Sequence, residues 1–183
     1  MTSRNVSGQA YAFLAMTPIM PGEEKPLRTY LDGLRDRGPS PLAKLARTHM
    51  GRFVIVEDFI NDPSWKQRKP EHLAMPYLIF SSNFDGDLDS YLDELCEELA
   101  PEAKQIWGRC VGCPESAEGP ALKKYLKHNQ IDTGVFYTPD GKTTVAEIKA
   151  ALRQRDRMIA FARSHQGDEP EALHAAFVKE FGS

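Results

Sequence analysis

Apolar residues in the stretch 10–17 fall on both sides of an extended chain, with Tyr11, Phe13 and Ala15 alternating with Ala12, Leu14 and Met16. The pattern predicts a strand covered on both faces and ended by Pro18. After Pro21 and Gly22, the period changes. Leu27, Tyr30, Leu31 and Leu34 recur at helical spacing, and Glu23 and Glu24 stand in the first turn, where the helix dipole favours acids. Ser40-Pro41 with Leu42, Leu45 and Ala46 predicts one more short helical turn before His49. A β-branched run over 52–57 predicts a second strand, and residues 58–75, polar and holding Pro63 and Pro70, a long excursion. The excursion carries a small basic cluster at Lys66, Arg68 and Lys69.

A third strand is predicted over 76–83, turned by Phe84-Asp85-Gly86 into a helix whose stripe is Leu88, Tyr91, Leu92, Leu95 and Leu99. Trp107 to Gly119 is a loop, followed by a short helix with Leu122, Tyr125 and Leu126 inward. Residues 133–138 predict a fourth strand, stopped by the turn Pro139-Asp140-Gly141. Thr144 and Glu147 have capping-box spacing ahead of a basic helix with Val145, Ile148, Leu152 and Ile159, and Leu173, Ala176 and Phe177 mark a tail helix.

Strand, helix, strand, strand, helix, strand is the order of the split βαβ unit, an α+β fold of ferredoxin-like type. It predicts a four-stranded antiparallel sheet with both long helices on one face and extra C-terminal helices. The division expected is one domain over 1–165 and a tail helix over 166–183. Helices on one face leave the other face of a doubly apolar sheet open, so something must cover it. A second copy of the chain is the simplest cover and gives a homodimer of the dimeric α+β barrel kind; the tail helix is the competing cover.

Composition removes several classes. A chain of 183 residues buries roughly 70% of its unfolded surface and needs no disulfide or metal for stability. No apolar run approaches the roughly 20 residues of a membrane span, and the N-terminal residues lack a secretory core, so a cytoplasmic protein is expected. In that reducing setting the three cysteines are expected as thiols. A net charge of −3 supplies no electrostatic footprint for nucleic acid. Charge is nonetheless segregated: the run from Asp85 to Glu102 holds eight carboxylates and no Lys or Arg, whereas Lys149, Arg153, Arg155 and Arg157 make a basic helix. Opposed helices of this kind can set a pairing register within a chain or across a dimer.

The segments Thr48 to Val56, Leu78 to Gly86, Tyr91 to Leu95 and Ile106 to Gly108 resemble a bacterial and fungal group of largely uncharacterised proteins, similar in organisation to the dimeric α+β barrel superfamily. The resemblance spans roughly residues 10–160 in outline and is specific around Asn83-Phe84-Asp85-Gly86. That superfamily includes haem-degrading monooxygenases, chlorite dismutases, dye-decolourising peroxidases and simple ligand-binding proteins. What the resemblance implies is a fold, not a reaction.

Candidate chemistry gathers around the second and third strands. A neutral His49 could ligate haem iron, and Arg52, three residues on, could hold a propionate or polarise an oxidant. The structural alternative is that His49 ends a helical turn and Arg52 pairs with an acid such as Asp85. Asn83 and Asp85 end an apolar strand at the rim of a pocket. Together with Arg52 they form the best polar cluster for orienting a small ligand, with His49, Arg52 and Asp85 the catalytic candidates. Structurally, Asp85 could cap the acidic helix while Gly86 takes a positive φ. His128 is a weaker iron ligand beside Lys127.

Cys110-Val-Gly-Cys113 lacks a second ligand pair for zinc, and its loop setting differs from that of a thiol-activating helix start. Unligated thiols are expected there, with redox use the alternative. The acidic run shows no calcium-loop spacing, and neither a nucleophile elbow nor a phosphate loop occurs. Three readings remain: a small-molecule-binding protein of dimeric α+β barrel type, a haem- or oxygen-dependent oxidoreductase on that fold, and a non-catalytic assembly protein.

Overall fold

The computed structural model describes residues 5, 9–60, 70–139 and 142–182 of the chain. It is a mixed α+β fold with three strands and six α-helices among those residues. Strand β1 spans Gln9–Pro18, β2 Thr48–Val56 and β3 Tyr77–Gly86, in the sheet order β1-β3-β2 with both pairings antiparallel. β1 and β2 therefore run parallel to each other with β3 between them. Helix α1 (Glu24–Asp36) and a 3-10 turn (Pro41–Lys44) make that crossover.

Alternation along the strands sorts the sheet into two unlike faces. Phe13, Ala15 and Thr17 of β1 and Leu78, Phe80, Ser82 and Phe84 of β3 are buried. The side chains between them, including Leu14, Met16, Ile79 and Asn83, are only half-buried. Against the buried face pack Leu27 of α1, Tyr91, Leu92 and Leu95 of α2 (Leu88–Glu98), Ala103 and Ile106 of α3 (Ala100–Ile106), and Leu122 and Leu126 of α4 (Gly119–His128). Rings tie the layers together: Phe80 meets Phe13, Phe53 and Trp107, and Phe84 stacks between Tyr11 and Tyr91. Each fully buried large side chain contributes about 1.5–3 kcal/mol, so this helix-covered face is where the fold's stability resides. On the opposite face Met50 is 67% and Val54 40% exposed.

The expected strand over 133–138 does not form. The free edge of β1 is met instead by isolated bridges, Ala15 with Gln130 and Ile19 with Cys110. Met16 N–H donates to Asn129 O at 3.0 Å, Ile131 N–H to Leu14 O at 2.9 Å and Val111 N–H to Pro18 O at 2.8 Å. Two short segments thus share an edge that a continuous strand would occupy, and Gly134 interrupts the β-forming run beyond them. The basic cluster at Lys66, Arg68 and Lys69 and the Asp140-Gly141 turn lie outside the described residues.

The chain divides into two compact units, Met1–Val145 and Ala146–Ser183. In the second, the rest of α5 (Val145–Ser164) is followed by α6 (Pro170–Phe181). Phe161 packs edge-on to Phe177 and Phe181, and Arg157 pairs with Glu180 at 2.9 Å. Two helices cannot enclose an apolar stripe by themselves, and Ile148, Leu152, Ile159, Phe177 and Val178 stay 40–48% exposed.

Candidate functional site

A β-bulge positions the candidate histidine. Thr48 pairs with Phe84 and Met50 with Asn83, so His49 is the extra residue in β2 and is released from the ladder. Asp85 follows Phe84 on β3 and alternates away from the buried ring. The two meet: His49 Nε2 lies 2.5 Å from Asp85 Oδ1, with both side chains mostly buried. Asp85 Oδ2 accepts the Val145 backbone N–H at 2.7 Å, and the Asp85 N–H donates to Arg47 O at 3.0 Å. A carboxylate can only accept from the ring, so Nε2 carries a hydrogen.

This corrects two expectations. Asp85 does not cap the acidic helix: Asp87 does, accepting the Ser90 N–H at 2.9 Å, while Asp85 serves His49 and Val145. Arg52 does not pair with Asp85, and it has no acidic partner among the described residues. The positive φ expected at Gly86 is present, +94°, and a Cβ there would meet Arg47 Nη1 at 3.2 Å. The backbone angle favours glycine at this corner.

An open pocket of about 770 Å³ lies beside these residues, lined by Thr48, His49, Arg52, Ser81 and Asn83 together with the 3-10 turn. His49, Arg52 and Asn83 share one concavity, and Asp85 stands behind His49. A second cavity of about 320 Å³ adjoins it, lined by Leu31, Leu34, Pro41, Leu42 and Phe53. Ser40, Leu42, Gly51 and Arg52 belong to both. Gly51 matters to that shared wall because a Cβ there would lie 2.9 Å from Leu42 Cδ1.

Haem does not fit His49 through Nε2, since that nitrogen is held by Asp85. His128 is exposed at the end of α4 and lines neither cavity. No cluster of three or more metal-ligating side chains occurs among the described residues.

The cysteine pair forms a turn closed by the Cys113 N–H on Cys110 O at 3.3 Å. Both thiols are unbridged, and burial pushes each up to about 11, the reverse of an activated nucleophile. Cys110 is a packing residue: its Sγ accepts from Thr17 Oγ1 at 3.4 Å beneath the sheet.

Three acids of α2 are paired within the first unit. Lys123 holds Asp93 at 2.9 Å, Lys127 holds Asp89 at 2.9 Å and Arg47 holds Glu94 at 2.9 Å.

Comparisons with family models, with curated proteins and with solved structures found no match to this chain. The geometry carries the functional reading alone. Among the described residues, no helix is long and apolar enough to cross a membrane.

The sequence reading missed the bulge at His49 and the role of the 3-10 turn as a pocket wall. The bulge left no local signal, because it is defined by the register of a partner strand. The Leu42–Gly51 contact had a weak one, a glycine inside a strand pattern.

Proposed function

We propose that this chain is a small-molecule-binding protein of dimeric α+β barrel type that takes its ligand in the pocket between the 3-10 turn, β2 and β3. The observation that carries the reading is the convergence of His49, Arg52 and Asn83 on one cavity of about 770 Å³. A concave site with a few convergent polar groups is the usual form of a ligand site. The β1-β3-β2 order supports the fold assignment, since it matches three of the four strands of the split βαβ arrangement.

Assembly as a homodimer enters on a separate observation, the open sheet face with Met50 and Val54 exposed. Two copies packed face to face would remove that apolar area from water. Light scattering tests this, and a monomer at high concentration overturns the dimer.

Fragment screening by ¹⁵N-edited NMR on the whole protein tests the binding reading. Hits are expected to shift the resonances of His49, Arg52 and Asn83 together, and a screen in which no fragment does so overturns it. The oxidoreductase alternative predicts a Soret shift with haemin that His49→Ala removes. A haemin spectrum that does not depend on His49 overturns that alternative.

A further inference from the structure

We infer that the ligand is an amphipathic organic acid, its carboxylate held at Arg52 and its aliphatic part laid in the smaller cavity. This rests on the binding reading above and names the class of molecule the site takes.

The two adjoining cavities differ in chemistry. The larger presents a guanidinium, an imidazole, an amide and three hydroxyls, those of Ser40, Thr48 and Ser81. The smaller presents Leu31, Leu34, Pro41, Leu42 and Phe53, with Asp32 as its one acid. Arg52 lines both and stands at the boundary between them. Arg28 pairs with Glu57, Arg47 with Glu94 and Arg109 with Glu23. Arg52 has no ion pair with Asp32 or with any other acid among the described residues. A guanidinium without a carboxylate, placed where a polar cavity meets an apolar one, is complementary to a planar anion bearing an apolar tail.

The other charges facing the larger cavity do not oppose an anion. Asp85 is covered by His49 and the Val145 N–H, both of its oxygens accepting. Asn83 can donate its amide N–H to the same carboxylate. An ammonium head would meet Arg52 as a like charge, so the site discriminates by sign.

Dimensions set the tail. A volume of about 320 Å³ is at the small end of ligand cavities and suits a chain of several methylenes rather than a long fatty acid. Gly51 lines both cavities, and a methyl group there would press on Leu42 Cδ1 at 2.9 Å.

The experiment is an NMR titration of the full chain with three probes: octanoate, acetate and octylammonium. Octanoate is expected to shift Arg52 and Asn83 together with Leu31, Leu34 and Leu42. Acetate should bind at least tenfold more weakly and shift only Arg52 and Asn83. Octylammonium should leave all of them unmoved. Arg52→Gln is expected to weaken octanoate at least tenfold, and Arg52→Lys less. Gly51→Ala should weaken octanoate more than acetate.

Equal binding of octylammonium and octanoate, or an Arg52→Gln variant that binds octanoate as tightly as the parent, overturns the inference. If neutral fragments shift His49, Arg52 and Asn83 but octanoate does not, the ligand class is wrong and the binding site stands. If no molecule shifts them, both fall.

Discussion

The ring of Phe84 lies flat on that of Tyr91, with centroids 3.6 Å apart and planes 4° from parallel, and neither residue has any exposed surface. Phe84 sits between Asn83 and Asp85 on β3, so the stack that faces the core holds in place the two polar side chains facing away from it. Tyr91 adds a polar tie. Its hydroxyl meets Ser82 Oγ at 2.5 Å and Thr48 Oγ1 at 3.1 Å, linking α2 to both strands that carry the site.

Tyr91→Phe keeps the stack and strips Ser82 of its buried partner. The expected cost is about 1–3 kcal/mol in urea unfolding. Phe84→Ala should cost about 3–5 kcal/mol, since a large ring leaves a cavity behind. A Tyr91→Phe protein as stable as the parent would show that the hydroxyl chain contributes nothing.

Asp85 and Arg52 should behave in opposite ways. Removing the carboxylate with Asp85→Ala strips acceptors from His49 and Val145, at an expected cost of about 1.5–3 kcal/mol for hydrogen bonds to a charged group. Arg52→Gln breaks no ion pair and is expected to stay within about 0.5 kcal/mol of the parent. Thermal unfolding of the two variants checks the contrast; a large loss at Arg52 would assign it a structural job instead.

Thiol chemistry follows from burial. With Cys110 and Cys113 pushed up to about 11, the folded protein should react slowly with iodoacetamide at neutral pH. The folded thiols hold their protons above 9.0, the value at which the unfolded chain releases them. Stability is therefore undiminished by these groups below pH 9.0 and falls as pH rises toward about 11. Rapid neutral labelling of native protein at either cysteine would contradict this.

Asp58 closes the base of the excursion after β2. Its carboxylate accepts from the His72 ring at 2.7 Å and from the Phe59 and Leu73 N–H groups at 2.8 Å, which hold it down to about 2. A lowered carboxylate stabilises above its ordinary value of 3.8, and the contribution disappears as pH falls toward about 2. Hydrogen exchange at Phe59 and Leu73 should rise in Asp58→Ala at neutral pH and in the parent only near pH 2. Unchanged exchange in the variant would remove this clasp from the account.

Much of the local structure was legible along the chain, because periods of two and of 3.6 are properties of neighbouring residues. Alternation over 76–86 separates Phe80, Ser82 and Phe84 from Ser81, Asn83 and Asp85. The stripe Leu88, Tyr91, Leu92, Leu95 is the face α2 buries, and the helical character of 145–164 and 170–181 was equally plain. Arg52 and Asn83 could be named as members of one polar cluster on two predicted strands.

What the tertiary structure alone decided depends on partners far along the chain. His49 reaches Asp85 across 36 positions only because β2 gains a residue against β3, and a register shift has no signature within the strand that carries it. Residues 133–138 have strand-like composition, yet the edge of β1 is taken by the segments around Cys110 and Gln130, since a sheet edge admits whichever backbone the preceding helices deliver to it. Asp87, not Asp85, caps α2. Asp85 still belongs to β3, which ends at Gly86, whereas Asp87 immediately precedes Leu88, the first residue of α2.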